Sequence, residues 1–191
     1  MRLTIFTTPI LSPLLKRFSI LVLRLAGWTL VGQMPTNTPK SVVIAAPHTS
    51  NWDLPYTLMV AFALDLNIHW MGKIQIFRFP FQGLMQWLGG IAVDRSQSTN
   101  MVSASAQTLR DAKGELHLVV PPEGTRAQSR QWKPGFYYIA LEAQVPIVLG
   151  FLDVGSKTSG LGPALLPTGN LEADMKRIKA FYAPFKGKNA S

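Results

Sequence analysis

Apolar positions in this chain follow a helical period first and then alternate between strand-like runs and helical stretches. Over Leu14 to Leu25 (LLKRFSILVLRL), Leu14, Leu15, Phe18, Leu21, Val22 and Leu25 share one side of a helix, with Pro13 suited to its first turn and Gly27 just past its end. Strands are predicted at Trp28 to Val31, Ser41 to Ala46, Ile68 to Met71, Ile91 to Val93, Leu116 to Val120 and Val145 to Phe151. Helices are predicted between them, at Asp53 to Leu66, Phe79 to Leu88, Ser98 to Lys113 and Phe136 to Glu142. Runs such as SVVIAA and HLVV are apolar at every position, as expected of strands covered on both sheet faces. The predicted class is therefore α/β, a mostly parallel central sheet with helices on both faces, preceded by an N-terminal amphipathic helix. The Gly/Pro-rich stretch Gly155 to Gly169 reads as an irregular excursion with a short strand near Leu161 to Leu166. Asn170 then caps a last helix running to about Tyr182.

These elements divide the chain into an amphipathic segment at 1–27, one domain at 28–185 and a disordered polar tail at 186–191. A chain of 191 residues can build one full core, and 47% apolar against 15% charged residues excludes a disordered protein. Nineteen basic residues against ten acidic ones leave a net charge of +9, so an anionic partner is implied: nucleic acid, an anionic membrane surface or a phosphate-bearing substrate. The absence of cysteine removes disulfides, thiolate metal sites and a cysteine nucleophile. Within Leu3 to Val31, Pro9, Pro13, Lys16, Arg17 and Arg24 interrupt the apolar run well short of the roughly 20 residues a spanning helix needs. Basic residues following the first apolar run also fit a secretory signal poorly, so the segment is expected to be retained. Lys16, Arg17 and Arg24 could snorkel from a helix lying in a membrane interface; a helix packed on the core has the same periodicity, and both readings stand.

Three polar clusters follow predicted strands, where open α/β sheets gather their ligands. They are Pro47-His48-Thr49-Ser50-Asn51-Trp52-Asp53, Asp94-Arg95 and Pro121-Pro122-Glu123-Gly124-Thr125-Arg126. His48 and Asp53 are close enough for the carboxylate to bond one ring nitrogen and leave the other to accept a proton, although Asp53 could equally be a helix N-cap. Arg126 suits a two-point hydrogen bond to phosphate, and backbone N–H groups near Gly124 could add to it. Lys73, Arg95 and Lys133 are further candidate phosphate ligands.

With those residues stated, HTSNWD resembles the H-x4-D motif of the glycerolipid acyltransferases typified by lysophosphatidate acyltransferase. GGIAVDR resembles their second motif, PEGTR their third and VPIV their fourth, in matching order over Val43 to Gly150. The resemblance implies that His48 is the catalytic base and Asp53 its orienting partner. It implies an acceptor phosphate site of Arg126 with Arg95 and Lys73, in which Glu123 organises the site instead of moving protons; Gly124, Thr125 and Lys133 complete the candidate site. The implied reaction is acyl transfer from an acyl thioester, acyl-CoA or acyl-ACP, to the hydroxyl of a lysophospholipid such as 1-acylglycerol-3-phosphate. It implies no cofactor beyond the donor substrate, and a peripheral, monotopic position on the cytoplasmic face of an anionic membrane. The first motif is often preceded by Asn where this chain has Pro47, the fourth usually ends in Pro where it has Leu149, and the chain is shorter than common members. These departures bear on which lipid is the acceptor and leave the reaction class intact.

Two other classes compete. A nucleic-acid-binding module would explain the charge, but the basic residues are dispersed and no binding motif is present, so no nucleic acid partner is expected. A catalytically silent lipid-binding scaffold would have no need of both His48 and Asp53. His69 and His117 fall in predicted strands and read as structural, and no two histidines share metal-ligand spacing, so no metal is expected. Trp52, Trp87, Trp132, Phe136, Tyr137 and Tyr138 read as core in preference to an acyl tunnel.

Overall fold

The computed structural model describes residues 3–46, 53–93, 98–123 and 132–185; the expected tail at 186–191 lies outside them. Its elements run α1 (Leu11–Leu25), β1 (Thr29–Val31), β2 (Lys40–Ala46), α2 (Asp53–Ala63), β3 (Ile68–Lys73), a 3-10 turn (Ile74–Phe77) and α3 (Gln82–Trp87). They continue β4 (Gly90–Val93), α4 (Ser98–Asp111), β5 (Leu116–Val120), α5 (Gly135–Ala143), β6 (Ile147–Asp153), β7 (Thr158–Leu165) and α6 (Leu171–Tyr182). The strands form one sheet in the order β1-β7-β6-β2-β5-β3-β4. Strands β2 to β6 are mutually parallel, β7 pairs antiparallel with β6, and β1 runs alongside β7. The α/β class, the mostly parallel sheet and the leading helix are as the sequence predicts.

Connection order explains the layering. The chain moves outward from β2 to β3 and β4, then returns through β5 to β6, so right-handed crossovers put α2 and α3 on one face and α4 and α5 on the other. One core accordingly joins Val42, Ile44 and Ala46 of β2 to Leu109 of α4, Phe136 and Ile139 of α5 and Ile178 of α6. The opposite face packs Val43, Ile68, Val148 and Leu161 against Ala61 of α2. Helix α1 lies outside α2, with Leu23 buried against Trp28, Val60 and Leu152. Helix α1 packs on the core through Leu23 and Ser19, whereas Leu14, Phe18, Leu21 and Leu25 are exposed.

The late Gly/Pro-rich stretch differs from expectation, because it holds an eight-residue strand, β7. Gly160 is what admits it: a Cβ there would stand 1.8 Å from the Val31 carbonyl oxygen, so only glycine lets β1 pair so closely. Pro163 lies where the β6–β7 register shifts, a bulge that needs no ladder hydrogen bond from it. The last helix starts as predicted, with Asn170 Oδ1 accepting from the Ala173 N–H at 3.1 Å.

Polar residues tie down the amino-terminal edge of the sheet. His117 of β5 is 2% exposed and shares a 2.9 Å hydrogen bond between its Nδ1 and the Ser41 hydroxyl of β2. Beside it, Thr4 donates to Asn67 Oδ1 at 3.1 Å and His69 Nδ1 donates to the Asn67 carbonyl at 3.2 Å. Both histidines are structural, as expected. Burial, with the neighbouring His69 second, lowers the His117 pKa from 6.5 to about 4. Between those pH values the unfolded chain binds a proton that the folded chain refuses, so stability should fall as pH drops from 6.5 to about 4, by about 3 kcal/mol in full. Urea midpoints measured across that window should follow this slope, and His117→Gln should flatten it; an unchanged slope in the variant would assign the acid sensitivity to other groups.

Candidate active site

The hydrogen-bond ladder brings the carboxyl ends of the parallel strands to one edge. Ile44 pairs with Val120, Ala46 with Phe151, Trp70 with Val119 and Lys73 with Val93. Every cluster singled out in the sequence therefore departs from this edge: 47–53 from β2, 94–95 from β4 and 121–126 from β5. Strands β2 and β5 are direct neighbours, so the strands that lead into the first and third clusters end side by side.

Among the candidate residues, Asp53 is the first residue of α2 and Lys73 the last of β3. Pro55 in the first turn of α2 is tolerated because the N–H groups there have no partner within the helix. Glu123 is half-buried in the turn after β5, and Lys133 is exposed. The Lys133 N–H donates to the Pro122 carbonyl at 2.8 Å, so the chain leaves the sheet at residue 122 and returns to the same point. That hydrogen bond closes the base of the loop carrying the Gly124, Thr125 and Arg126 candidates. His48, Arg95, Gly124, Thr125 and Arg126 lie outside the described residues, as do the side chains of Asp53 and Lys73.

Just below the edge, between the sheet and α2, lies a narrow apolar cleft. Ala45 and Ala46 of β2 and Phe151 and Leu152 of β6 line it beside the edge, Thr57 and Ala61 of α2 form a wall, and Leu66 and Ile68 lie at the far end. Small side chains on β2 and α2 leave the space that larger ones would fill. Of the six aromatic residues that the sequence assigns to the core, none of the described ones lines the cleft, and Tyr138 is exposed. Phe136 and Tyr137 are fully buried in the core, Trp132 packs edge-on to Tyr182 at 5.1 Å, and Trp87 donates from Nε1 to the Thr8 hydroxyl at 2.9 Å. Trp52 lies outside the described residues. No single signal would have found the cleft, since its walls come from residues more than 100 positions apart.

One buried polar network joins α5 to α6. Tyr137 donates to Asp174 Oδ2 at 3.0 Å, and the Thr168 N–H and hydroxyl donate to the same oxygen at 2.7 and 2.9 Å. Burial pushes the Asp174 carboxyl upward, but these donors outweigh it and the net shift is downward; Tyr137 is raised, first by burial and then by Asp174. This network fastens α5 to α6 on the face opposite the cleft. Among the described residues no group of three His, Asp or Glu side chains could hold a metal ion.

A sequence profile described as Acyltransferase matches residues 29–148. The chain belongs to the acyltransferase family. The match runs from β1 to the start of β6, so it contains the segments 47–53, 94–95 and 121–126 and leaves α1, most of β6, β7 and α6 outside. Among relatives, a Mycoplasma pneumoniae protein named "Probable 1-acyl-sn-glycerol-3-phosphate acyltransferase" is 32% identical over 139 residues, 69% of this chain and 52% of the relative. A 1-acyl-sn-glycerol-3-phosphate acyltransferase of Limnanthes douglasii is 26% identical over 133 residues, 67% of this chain and 46% of the relative. The chain thus spans about half the length of the curated relatives it matches. In structure it resembles the 1-acyl-sn-glycerophosphate (LPA) acyltransferase of Thermotoga maritima, with a TM-score of 0.59 over 93% of this chain and 82% of that one, at 16% identity. At that identity the likeness establishes a shared acyltransferase fold.

Proposed function

We propose that this chain moves a fatty acyl group from a thioester donor, acyl-CoA or acyl-ACP, to the hydroxyl of a lysophospholipid such as 1-acylglycerol-3-phosphate. The observation carrying this reading is that β2 and β5, which lead into the H-x4-D and PEGTR segments, are adjacent strands ending at one sheet edge, with an apolar cleft opening just below it. Membership of the acyltransferase family and the printed names of the relatives support it.

In the proposed mechanism, His48 takes the proton from the acceptor hydroxyl as that oxygen attacks the thioester carbonyl carbon. Asp53, at the start of α2, stabilises the imidazolium that forms. The C–S bond then breaks, the departing thiolate takes the proton from His48, and no acyl-enzyme is formed. Arg126 and Arg95, with Lys73 and Lys133 nearby in the chain's return, hold the acceptor phosphate, and Glu123 orders the turn between them; Gly124 and Thr125 contribute backbone donors. Backbone N–H groups in the first turn of α2 are available to the developing oxyanion. The acyl chain occupies the apolar cleft, whose sides offer it carbon contacts in place of water.

The acceptor and product are lipids, so the working position is a membrane surface, on its cytoplasmic face in this reading. Among the described residues no helix is long and apolar enough to cross a membrane. Helix α1 suits peripheral attachment: its exposed side carries Leu14, Phe18, Leu21 and Leu25 together with the cations Arg17 and Arg24.

The test is turnover on a panel of lysolipids with labelled acyl thioesters, with product identified by mass spectrometry. His48→Ala should lower turnover by about 10² to 10⁴ in a protein that melts like the wild type, and Asp53→Asn should also lower it without unfolding. Arg126→Ala should chiefly raise KM for the acceptor, roughly tenfold or more. Wild-type turnover in His48→Ala would remove the base assignment.

Chain-length selection gives a separate check. Ala61→Leu adds three carbons to the wall of the cleft and should lower turnover with long-chain donors more than tenfold relative to short-chain donors. An unaltered preference in a folded variant would mean that the acyl chain lies elsewhere.

A further inference from the structure

The segment between β3 and β4 carries a surface that the reaction does not use. Within Ile74 to Leu84, the side chains of Ile74, Ile76, Phe79, Phe81 and Leu84 are all exposed, Phe79 at 96%. A soluble surface does not concentrate large apolar side chains in this way without an occupant. The segment is held at both ends. Phe77 is buried against Trp70 at a ring separation of 5.9 Å, and a Cβ on Gly90 would stand 2.8 Å from the Phe77 ring, so glycine there makes room for the anchor. At the other end Trp87 is bound to the turns that lead into α1: its carbonyl accepts from the Ile5 N–H at 2.7 Å and its indole donates to Thr8.

Placement in the fold gives the surface its direction. Residue 74 follows directly on the carboxyl end of β3, so the segment starts at the edge where the catalytic clusters leave the sheet. The carboxyl end of α1 reaches the same edge on the far side: Thr29 of β1 is in register with Thr158 of β7, which pairs with Asp153 at the end of β6. The Lys157 ammonium donates to the Ala26 carbonyl at 3.0 Å and holds α1 there, with Leu25 80% exposed. Exposed apolar side chains thus flank the edge on both sides, with the carboxyl ends of β2 and β5 between them.

Charge identifies the occupant. Residues 66–93 contain Lys73 and Arg78 and no Asp or Glu; residues 1–52 contain Arg2, Lys16, Arg17, Arg24 and Lys40 and no Asp or Glu. Lys16 is paired with Asp65, whereas Arg17, Arg24 and Arg78 are exposed. Apolar side chains mixed with cations and free of carboxylates match an anionic bilayer, where the rings enter the headgroup–acyl boundary and guanidinium groups meet phosphates.

We propose that Ile74 to Leu84 is a second membrane-docking element, which with α1 seats the protein on an anionic phospholipid bilayer at two points astride the catalytic edge. This rests on the reading that the acceptor lipid comes from a bilayer. Two-point seating turns the edge toward the lipid, whereas α1 alone would leave the molecule free to roll about that helix.

The absence of cysteine allows a direct measurement. Gln82→Cys, an exposed position beside Phe81, is labelled with a polarity-sensitive fluorophore and mixed with vesicles of phosphatidylglycerol and phosphatidylcholine. The emission should move to the blue on binding, and the double variant Phe79→Ser/Phe81→Ser should bind these vesicles roughly tenfold or more weakly, with an unchanged thermal melt. Binding by the labelled protein with water-like emission at residue 82 would overturn the proposal, as would undiminished binding by the double variant. So would a lipid-free dimer in sedimentation velocity that the two serines abolish, since a second copy would then own the surface. None of these measurements needs turnover. A chain that buries residue 82 in lipid but acylates no lysolipid keeps the second docking element and loses the acyltransferase reading, and a chain that acylates lysolipids with residue 82 in water does the reverse.

Discussion

Parallel pairing of β2 with β5 and β6, and of β3 with β4 and β5, is the constraint on which the remaining structure depends. In a parallel ladder all carboxyl ends face the same way, so segments far apart in sequence must leave the sheet at one edge. His48 and Arg126 are 78 positions apart along the chain, yet the strands that precede them are neighbours in register. The crossovers that parallel pairing requires also supply the helices: α2 on one face with α1 outside it, α4 and α5 on the other. A slip of one residue between β2 and β5 would exchange Val42 and Ile44 with Val43 between the two cores and shift the two clusters relative to each other. Core packing and site assembly therefore select the same register.

Helix α2 links the parts that the ladder arranges. Its first residue is Asp53, Thr57 and Ala61 line the cleft, and Val60 packs against Leu23 of α1. One rigid element of 11 residues, about 16 Å long, therefore connects the edge, the proposed acyl site and the helix with the exposed apolar side. Displacement of α1 would be felt at the cleft through a single layer of side chains. Described polar anchors stand in several places: Ser41 with His117 at the amino-terminal edge, Asp153 accepting from Gly155 and Ser156 at the carboxyl end of β6, and Tyr137 with Asp174 on the opposite face.

The fold class and the strands from β2 to β6 were legible because fully buried parallel strands write their burial into the sequence: SVVIAA and LHLVV have no other economical place than the middle of a sheet. The clusters at the edge were legible for a related reason, since a polar run directly after such a strand can only be at its end. Strand β7 was legible only in its second half, because Gly160 and Pro163 read as breakers and are accommodated by the close pairing with β1 and by the bulge opposite β6, both of them tertiary. The cleft was not legible either. It exists because alanines stand at positions of β2 and α2 where larger residues would also fit the local pattern, and an empty volume has no signature in one segment. The aromatic residues that drew attention serve as packing: Phe136 and Tyr137 are in the core and Trp132 covers Tyr182.

Periodicity could not assign the outer side of α1 for a physical reason that extends to the 74–84 segment. A side chain turned toward lipid and one turned toward a protein core meet the same kind of atoms, so hydropathy alone cannot separate them. What separates them is the pattern of charge around the apolar positions. A core-facing side is normally bordered by carboxylates as well as cations, because both solubilise the helix flank equally well. Here the ten carboxylates all fall outside 1–52 and 66–93, the two stretches that expose the largest apolar side chains around the edge. The same local excess of cations opposes self-association of those surfaces and favours an anionic partner, two consequences of one charge distribution. The net charge of +9, which by itself left nucleic acid, membrane and phosphate substrate open, acquires meaning from where the negative charges are missing.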